Sequence, residues 1–263
     1  MITNEQVHDF QRDGAVMIKN VMTDWVDVMR AGVARNMEYP SEYASENDVL
    51  EGQGRFFDDY CNWLRIPEFL QVVQESPASE IAAKSMQSTT AQFFHDHVLV
   101  KESNTLKPTP WHQDSPYYFV EGTQTVSMWM PLDRVNDATL RLLAGSHKWE
   151  KMVRPVSWSD DSDFYDSNMG WSAVPDPDKN HTNHRILEWE MDPGDIVLFD
   201  FRTVHGARGN LNSNRRRALS LRWLGDDARY VERPGRTSPP YPGHKMVAGE
   251  RLREDWFPIV WIA

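Results

Sequence analysis

The sequence predicts an α+β chain that is mainly β, with N-terminal helices packed on a jelly roll, that is, a cupin-like double-stranded β-helix. Helical spacing of apolar residues is confined to about the first 90 residues. After that point, short β-type runs alternate with Gly, Pro, Asn and Asp, which is typical of β sandwiches and barrels. Helices followed by strands favour the α+β class.

The first predicted helix covers residues 4–13, and Thr3 or Asn4 can cap it. Gly14 ends this helix, because glycine readily adopts the left-handed conformation that follows a helix. The run Ala-Val-Met-Ile over 15–18 then predicts a short strand.

Two further helices are predicted over 22–38 and over 67–86, where apolar residues recur at helical spacing. The later part of the chain contains five β-type runs bounded by turn residues. They cover 91–100, 124–132, 140–143, 195–201 and 217–224.

The domain organisation predicted from this pattern is a single domain over 1–263, because β folds of this length often form one unit. Within it, 1–90 is mostly helical and 91–225 is the β-helix core. A polar loop excursion leaves the core at about 157–184, and 226–263 forms a C-terminal cover. Long loops of this kind are often lids over functional sites.

Composition limits the classes of partner. The net charge is −11 and the longest basic run is Arg215–Arg217, so no nucleic-acid partner is expected. No apolar run is long enough to span a membrane, and the N-terminus lacks the pattern of a signal peptide. One cysteine, Cys61, excludes an internal disulfide and suits a reducing compartment, so we expect a cytoplasmic protein.

The strongest local signal is the run Trp-His-Gln-Asp over 111–114, which places His112 and Asp114 two residues apart. In an extended chain, such residues point to the same face. His205 follows a Pro-Gly turn and a β run, which delivers a second imidazole at a strand end. Two histidines and one carboxylate form the facial triad of non-haem Fe(II) oxygenases, with positions left open for a co-substrate and O2.

An oxygenase of this type that uses 2-oxoglutarate needs a cation for the distal carboxylate, and arginine binds carboxylates with two parallel hydrogen bonds. Strand alternation puts Arg216 and Arg222 on one face and Arg215 and Arg217 on the other. If the first face lines the barrel, Arg216 is the clamp. Trp129, on an earlier strand, is either a wall of the co-substrate site or a core residue.

A small-molecule substrate is expected to lie beside the metal. Tyr117, Tyr118 and Arg222 are the candidate substrate contacts. The alternatives are ordinary packing for the two tyrosines, and for Arg222 a buried salt bridge to a nearby Asp.

Taken together, these motifs resemble the phytanoyl-CoA dioxygenase family over nearly the whole chain. The residues that carry the resemblance are Trp111–Asp114, Pro193–Asp195, His205–Gly206, Arg216 with Ala218–Ser220, and Arg222–Asp227. The resemblance implies a double-stranded β-helix that uses Fe(II), 2-oxoglutarate and O2 and that releases succinate and CO2. Carried over by position, His112, Asp114 and His205 are iron ligands and Arg216 is the 2-oxoglutarate clamp. The resemblance also implies co-substrate contacts for Trp129, His97 and Arg55.

The sequence departs from the family pattern in three places. One is Ala144, which stands where many members have the Pro of a Pro-Gly-Ser-His turn. Asp137-Ala138 stands where many members have Asn-Gly, and Ala207 stands where some members have Ser. Halogenating relatives have a small residue at the position of Asp114, so the carboxylate here favours hydroxylation of a C–H bond.

Two other hypotheses are compatible with the residues. His95 and His97, with Glu102 and His205, resemble the first motif and last ligand of cupins, which would give a metal-dependent dioxygenase or isomerase without 2-oxoglutarate. The cupin motif expects a glycine where residue 109 is Thr. The second alternative is a jelly-roll binding module without catalysis.

Overall fold

The computed structural model describes residues 1–47, 54–136, 139–158, 162–166, 169–174, 176–178, 185–212 and 214–263. The helices are α1 (Asn4–Asp13), α2 (Val26–Glu38), α3 (Pro67–Glu75) and α4 (Ala78–Met86). Strands β1 to β7 are Ala15–Ile18, Ser45–Asn47, Phe56–Tyr60, Thr90–Lys101, Thr109–His112, Val120–Glu121 and Thr125–Pro131. Strands β8 to β14 are Leu140–Leu143, Ile186–Glu188, Ile196–Phe199, His205–Ala207, Arg216–Leu224, Arg229–Tyr230 and Ile259–Ile262.

Across the described residues, the strands form one sheet of eight, one of four and one of two. The large sheet has the order β1-β10-β7-β12-β4-β3-β2, and β14 also pairs with β4. The four-stranded sheet has the order β5-β11-β8-β9. A shared apolar cluster joins Trp129 and Phe199 of the large sheet to Leu142 and Ala207 of the smaller one. The two sheets therefore pack face to face, which confirms the predicted jelly roll.

The N-terminal helices cover the outer face of the large sheet. Alternation along β12 directs Leu219, Leu221 and Trp223 outward, into a cluster with residues of the helices such as Phe69 and Ile81. The opposite face of the same strand presents Arg216, Ala218, Ser220 and Arg222 to the space between the sheets. Strand β12 therefore has one apolar face and one charged face, and both are buried. Because burial of charged side chains is costly unless they are paired, the charged inner face indicates a functional site.

The predicted elements are largely found. Helix α1 has a capping box between Thr3 and Gln6 and ends at Gly14, whose φ is 77°. The helix predicted over 67–86 is wrong as a single element, because Ser76 is extended before Pro77 and separates α3 from α4. The first 90 residues also contain β2 and β3, which helical periodicity could not reveal.

Some sequence features lie outside the described residues. Asp137 and Ala138 are among them, as is part of the 157–184 segment. Within the parts of the chain that are described, none of the helices has the length and apolar character needed to cross a bilayer.

Gly14 makes the tight passage from α1 to β1 possible. A Cβ at this position would lie 2.5 Å from Thr203 Oγ1 and would also overlap the His147 ring, in addition to the strain of φ +77°. We expect Gly14→Ala to lower the free energy of unfolding by about 2 kcal/mol or more. Gly145→Ala is the control, because Gly145 has φ +79° but open space around its Cβ. Urea denaturation of both variants measures the difference; equal losses would contradict the steric part of the argument.

Candidate active site

Two histidines meet at one end of the paired strands β5 and β11 of the small sheet. His112 is the last residue of β5 and His205 is the first residue of β11, and antiparallel pairing places them directly opposite each other. Their ring centroids are 4.2 Å apart. Asp114 follows His112 in the turn that leads to a short 3-10 helix over Ser115–Tyr117. Strand pairing thus brings together residues that are about 90 positions apart in sequence.

The backbone fixes both imidazoles in one orientation. His112 Nδ1 lies 2.8 Å from the carbonyl oxygen of Pro110, and His205 Nδ1 lies 2.9 Å from that of Thr203. Each Nδ1 therefore carries the proton and donates it to a carbonyl, which leaves a lone pair on each Nε2. This is how a protein commonly orients histidine ligands toward a metal.

The three side chains converge on one point. His112 Nε2 is 3.6 Å from Asp114 Oδ1, and His205 Nε2 is 3.8 Å from the same oxygen. Among the described residues, this is the one cluster of His, Cys, Asp and Glu that could hold a metal ion, with ligand atoms within 4.8 Å of one another. Two neutral nitrogens and one carboxylate oxygen, all buried, fit a divalent iron with a free face.

The other carboxylate oxygen of Asp114 is held by the protein. Ser127 Oγ donates to Oδ2 at 2.8 Å, and Arg222 Nη2 lies 3.6 Å from it. Burial raises the pKa of Asp114, but the charge of Arg222 and the contacts with His112 outweigh burial and hold it well below its ordinary value. Burial, with the nearby His112, lowers the pKa of His205 to about 3. These pKa shifts favour a carboxylate anion at Asp114 and a neutral imidazole at His205, which are the forms that bind metal.

A small cavity adjoins the triad on the side of β12. Arg216, Trp129 and Ser220 line it together with His205. Arg216 Nε, Trp129 Nε1 and Ser220 Oγ are buried and have no hydrogen-bond partner among the described residues. Burial lowers the pKa of Arg216 to about 10, and its guanidinium lies over the Trp129 ring. A buried cation beside unpartnered donors fits the carboxylate of 2-oxoglutarate, which supplies acceptor oxygens.

A larger cavity of about 260 Å³ opens on the other side of His112 and Asp114. The structure brings all three predicted substrate residues, Tyr117, Tyr118 and Arg222, to its lining. The Tyr117 hydroxyl is engaged, because it donates to the Val156 carbonyl at 2.7 Å. Arg222 forms the buried pair with Asp114 and donates from Nε to the Tyr118 hydroxyl at 3.0 Å.

His97 and Arg55, the two remaining predicted co-substrate residues, are placed differently. His97 lines both cavities, and its Nε2 is 3.5 Å from Asp58 Oδ2. Arg55 belongs to the lining of neither cavity in the described structure. It pairs with Glu46 at 2.5 Å and lies over the Phe57 ring. The structure therefore brings His97 to the triad and does not bring Arg55.

The cupin-type metal set is not assembled. His95 and His97 line the larger cavity, but Glu102 forms an ion pair with Arg215 at 2.8 Å and lies away from them. Asp96, between the two histidines, faces the opposite side of β4 and accepts from the backbone N–H groups of residues 62 and 63.

Several residues of the larger cavity were not predicted as site residues, among them Asp58, Tyr60 and Trp158. Trp158 lines both cavities and meets the His112 ring edge to face at 4.9 Å. Trp158 belongs to the polar loop excursion predicted at about 157–184. The prediction that this loop is a lid over the site was the one sequence signal that pointed to it. Asp58 and Tyr60 lie on β3, a strand that the sequence pattern did not reveal.

Comparisons with known proteins identify the family of this chain. The profile of the family described as phytanoyl-CoA dioxygenase (PhyH) matches residues 10–218. Ectoine dioxygenase of Stutzerimonas stutzeri (strain A1501) is 23% identical over 83% of this chain and 75% of that protein. Human peroxisomal phytanoyl-CoA dioxygenase is 24% identical over 89% of this chain and 72% of that protein.

A solved structure shows the same fold. The epimerase SnoN, in a complex described as containing Fe3+, alpha ketoglutarate and nogalamycin RO, has a TM-score of 0.76 and 18% identity over 97% of both chains. The family profile covers well over half of the sequence, and the residues of the predicted triad meet in the structure. The chain belongs to the phytanoyl-CoA dioxygenase family of 2-oxoglutarate-dependent non-haem iron oxygenases.

Proposed function

We propose that the protein hydroxylates an unactivated C–H bond of a small organic substrate, with His112, Asp114 and His205 as the iron ligands. The observation that carries the assignment of ligands is the convergence of two Nε2 atoms on Asp114 Oδ1. Relatives named for ectoine and for a nogalamycin compound support a small-molecule substrate.

Arg216 binds the far carboxylate of 2-oxoglutarate in this proposal, and Trp129 and Ser220 offer further donors. Support comes from the three unpartnered polar atoms beside the triad. When bound, iron and 2-oxoglutarate would supply the oxidising chemistry: one oxygen atom of O2 enters the C–H bond of the substrate and the other enters succinate, as 2-oxoglutarate loses CO2. His97 borders the same cavity and is retained as a co-substrate contact.

The other side chains orient the ligands and shield the site. The carbonyls of Pro110 and Thr203 hold the imidazoles, and Ser127 with Arg222 holds Asp114 so that Oδ1 faces the histidines. Trp158 covers His112 from the excursion and limits access of water to the reacting centre.

We also propose that residues 1–263 act as one domain, since a single apolar cluster joins α1, the other helices and β12. A cytoplasmic location is proposed from the single free cysteine, Cys61, which suits a reducing compartment.

Anaerobic addition of Fe(II) and 2-oxoglutarate to the metal-free protein tests the proposal. We expect the weak visible charge-transfer band of iron-bound 2-oxo acids in the wild type, and its loss in His112→Ala. His8→Ala is the matched control, because His8 is exposed on α1. Tight metal binding without the band in the wild type would favour a metal-dependent reaction without 2-oxoglutarate. Absence of any 2-oxoglutarate turnover with all substrates would favour a binding module.

A further inference from the structure

The larger cavity has flat aromatic walls. Five aromatic side chains line it: Tyr60, Tyr117, Tyr118, Trp158 and Phe164. Tyr117 and Phe164 meet edge to face at 4.9 Å, and Trp158 stacks on the His97 ring at 6.4 Å. Walls of this kind favour a flat apolar ring system, because ring faces and edges make specific contacts beyond area burial. The volume of about 260 Å³ is compatible with a compact substrate.

Two buried polar side chains of this cavity, His95 and Arg222, lie near the triad. They are direct partners across the antiparallel pair β4–β12, so their side chains stand side by side on the same face. Both are buried, with 2% and 4% of their surface exposed. His95 Nδ1 lies 3.1 Å from the Asp96 carbonyl, to which it donates, so His95 Nε2 is a hydrogen-bond acceptor.

Each of these two residues has one unpartnered polar atom among the described residues: Nε2 of His95 and Nη1 of Arg222. The remaining nitrogens of Arg222 are used, since Nε donates to Tyr118 and Nη2 lies beside Asp114. Burial lowers the pKa of His95 well below its ordinary value, which keeps the imidazole neutral. One free acceptor and one free donor therefore stand together in a buried site, which is costly unless a ligand pairs with both.

We propose that the substrate is a neutral ring compound with a hydroxyl group that accepts from Arg222 Nη1 and donates to His95 Nε2. This inference rests on the proposed function, because the hydroxyl would anchor the ring beside the iron. A hydroxyl is both donor and acceptor, and so it satisfies both atoms.

Several other common groups satisfy only one of the two atoms. A carboxylate or an ether oxygen accepts from Arg222 but gives no proton to His95, and an ammonium group donates but cannot accept. Arg222 already has Asp114 as its counter-charge, so an anionic substrate would gain less binding free energy than it would from an unpaired arginine. Asp58 and His97 also line this cavity and face each other, with His97 Nε2 3.5 Å from Asp58 Oδ2.

Five two-ring probes test the proposal: 2-naphthol, 2-methoxynaphthalene, naphthalene, 2-naphthoate and 2-naphthylmethylammonium. Their affinities are measured by anaerobic calorimetry on the protein loaded with Fe(II) and 2-oxoglutarate. We expect 2-naphthol to bind at least about tenfold more tightly than the methyl ether or naphthalene, because two buried hydrogen bonds are gained. Equal or tighter binding of the ether, the carboxylate or the ammonium compound overturns the proposal, as does failure of all five to bind.

Variants at His95 test whether this residue causes the preference for 2-naphthol over naphthalene. His95→Leu is expected to reduce the preference for 2-naphthol over naphthalene to less than about threefold, whereas His95→Gln, which keeps an acceptor, retains more of it. A preference that His95→Leu leaves intact overturns the role of His95. The iron–2-oxoglutarate band is recorded in parallel and reports on the proposed function alone. If the band is absent, the same calorimetry on the metal-free protein still tests recognition of the hydroxyl.

Discussion

Asp114→Ala is expected to abolish iron-dependent turnover of 2-oxoglutarate and also to destabilise the metal-free protein by about 3–5 kcal/mol. Both losses have one origin, since Oδ1 faces the two histidines while Oδ2 lies beside Arg222. Removing the carboxylate deletes a metal ligand and leaves a buried guanidinium without its counter-charge. Changing a group behind a ligand typically costs 10–100-fold in metal affinity, and loss of the ligand itself should exceed about 100-fold.

A double variant separates the two effects. In Asp114→Ala/Arg222→Met, the buried charge is removed together with its partner, so the free energy of unfolding should recover while iron binding stays lost. Ser127→Ala is the milder control, because it removes one hydrogen bond to Oδ2 and should cost about 1 kcal/mol. Urea unfolding in the presence of a chelator and iron titration give the two readouts. If Asp114→Ala has the stability of the wild type, the structural role assigned to the pair is incorrect.

The sequence predicts that Asp114 is a metal ligand, but it does not predict the second role of Asp114 as the partner of Arg222. The two-residue spacing of His112 and Asp114 and the Pro-Gly turn before His205 were enough to predict the triad as a set. Alternation along β12 also predicted that Arg216 and Arg222 point inward. Which oxygen of Asp114 faces which partner depends on the packing of β7 and β12 beside the turn, and no local pattern encodes that.

The same reason explains the residues that were missed or misplaced. Arg55 precedes β3 in a segment without apolar periodicity. Its guanidinium forms an ion pair with Glu46 and does not point toward the site. The sequence predicts for His95 only the role of a possible metal ligand, because it does not show that His95 lies opposite Arg222 on the neighbouring strand. Trp158 lies in a polar segment without strand signals, so only its tertiary position connects it with His112.

Arg216→Met is expected to weaken binding of 2-oxoglutarate by about 30-fold or more, without lowering the stability of the free protein. The two effects differ because Arg216 has no carboxylate within ion-pair distance among the described residues. Its burial is a cost in the free protein, and a carboxylate ligand removes that cost. Replacing it by an apolar side chain of similar length therefore keeps or raises the free energy of unfolding while the ligand loses its main charge partner.

Arg217→Met is the matched control, because the neighbouring arginine points the other way and pairs with Asp133 at 2.7 Å. It should lose up to about 1 kcal/mol of stability and keep its affinity for 2-oxoglutarate. Arg216→Lys should restore little of the affinity, since an ammonium group lacks the planar fork that binds both carboxylate oxygens. The half-saturating concentration of 2-oxoglutarate and urea unfolding give both quantities. A variant at Arg216 that is less stable than the one at Arg217, yet binds 2-oxoglutarate normally, would make Arg216 a structural residue instead of the clamp.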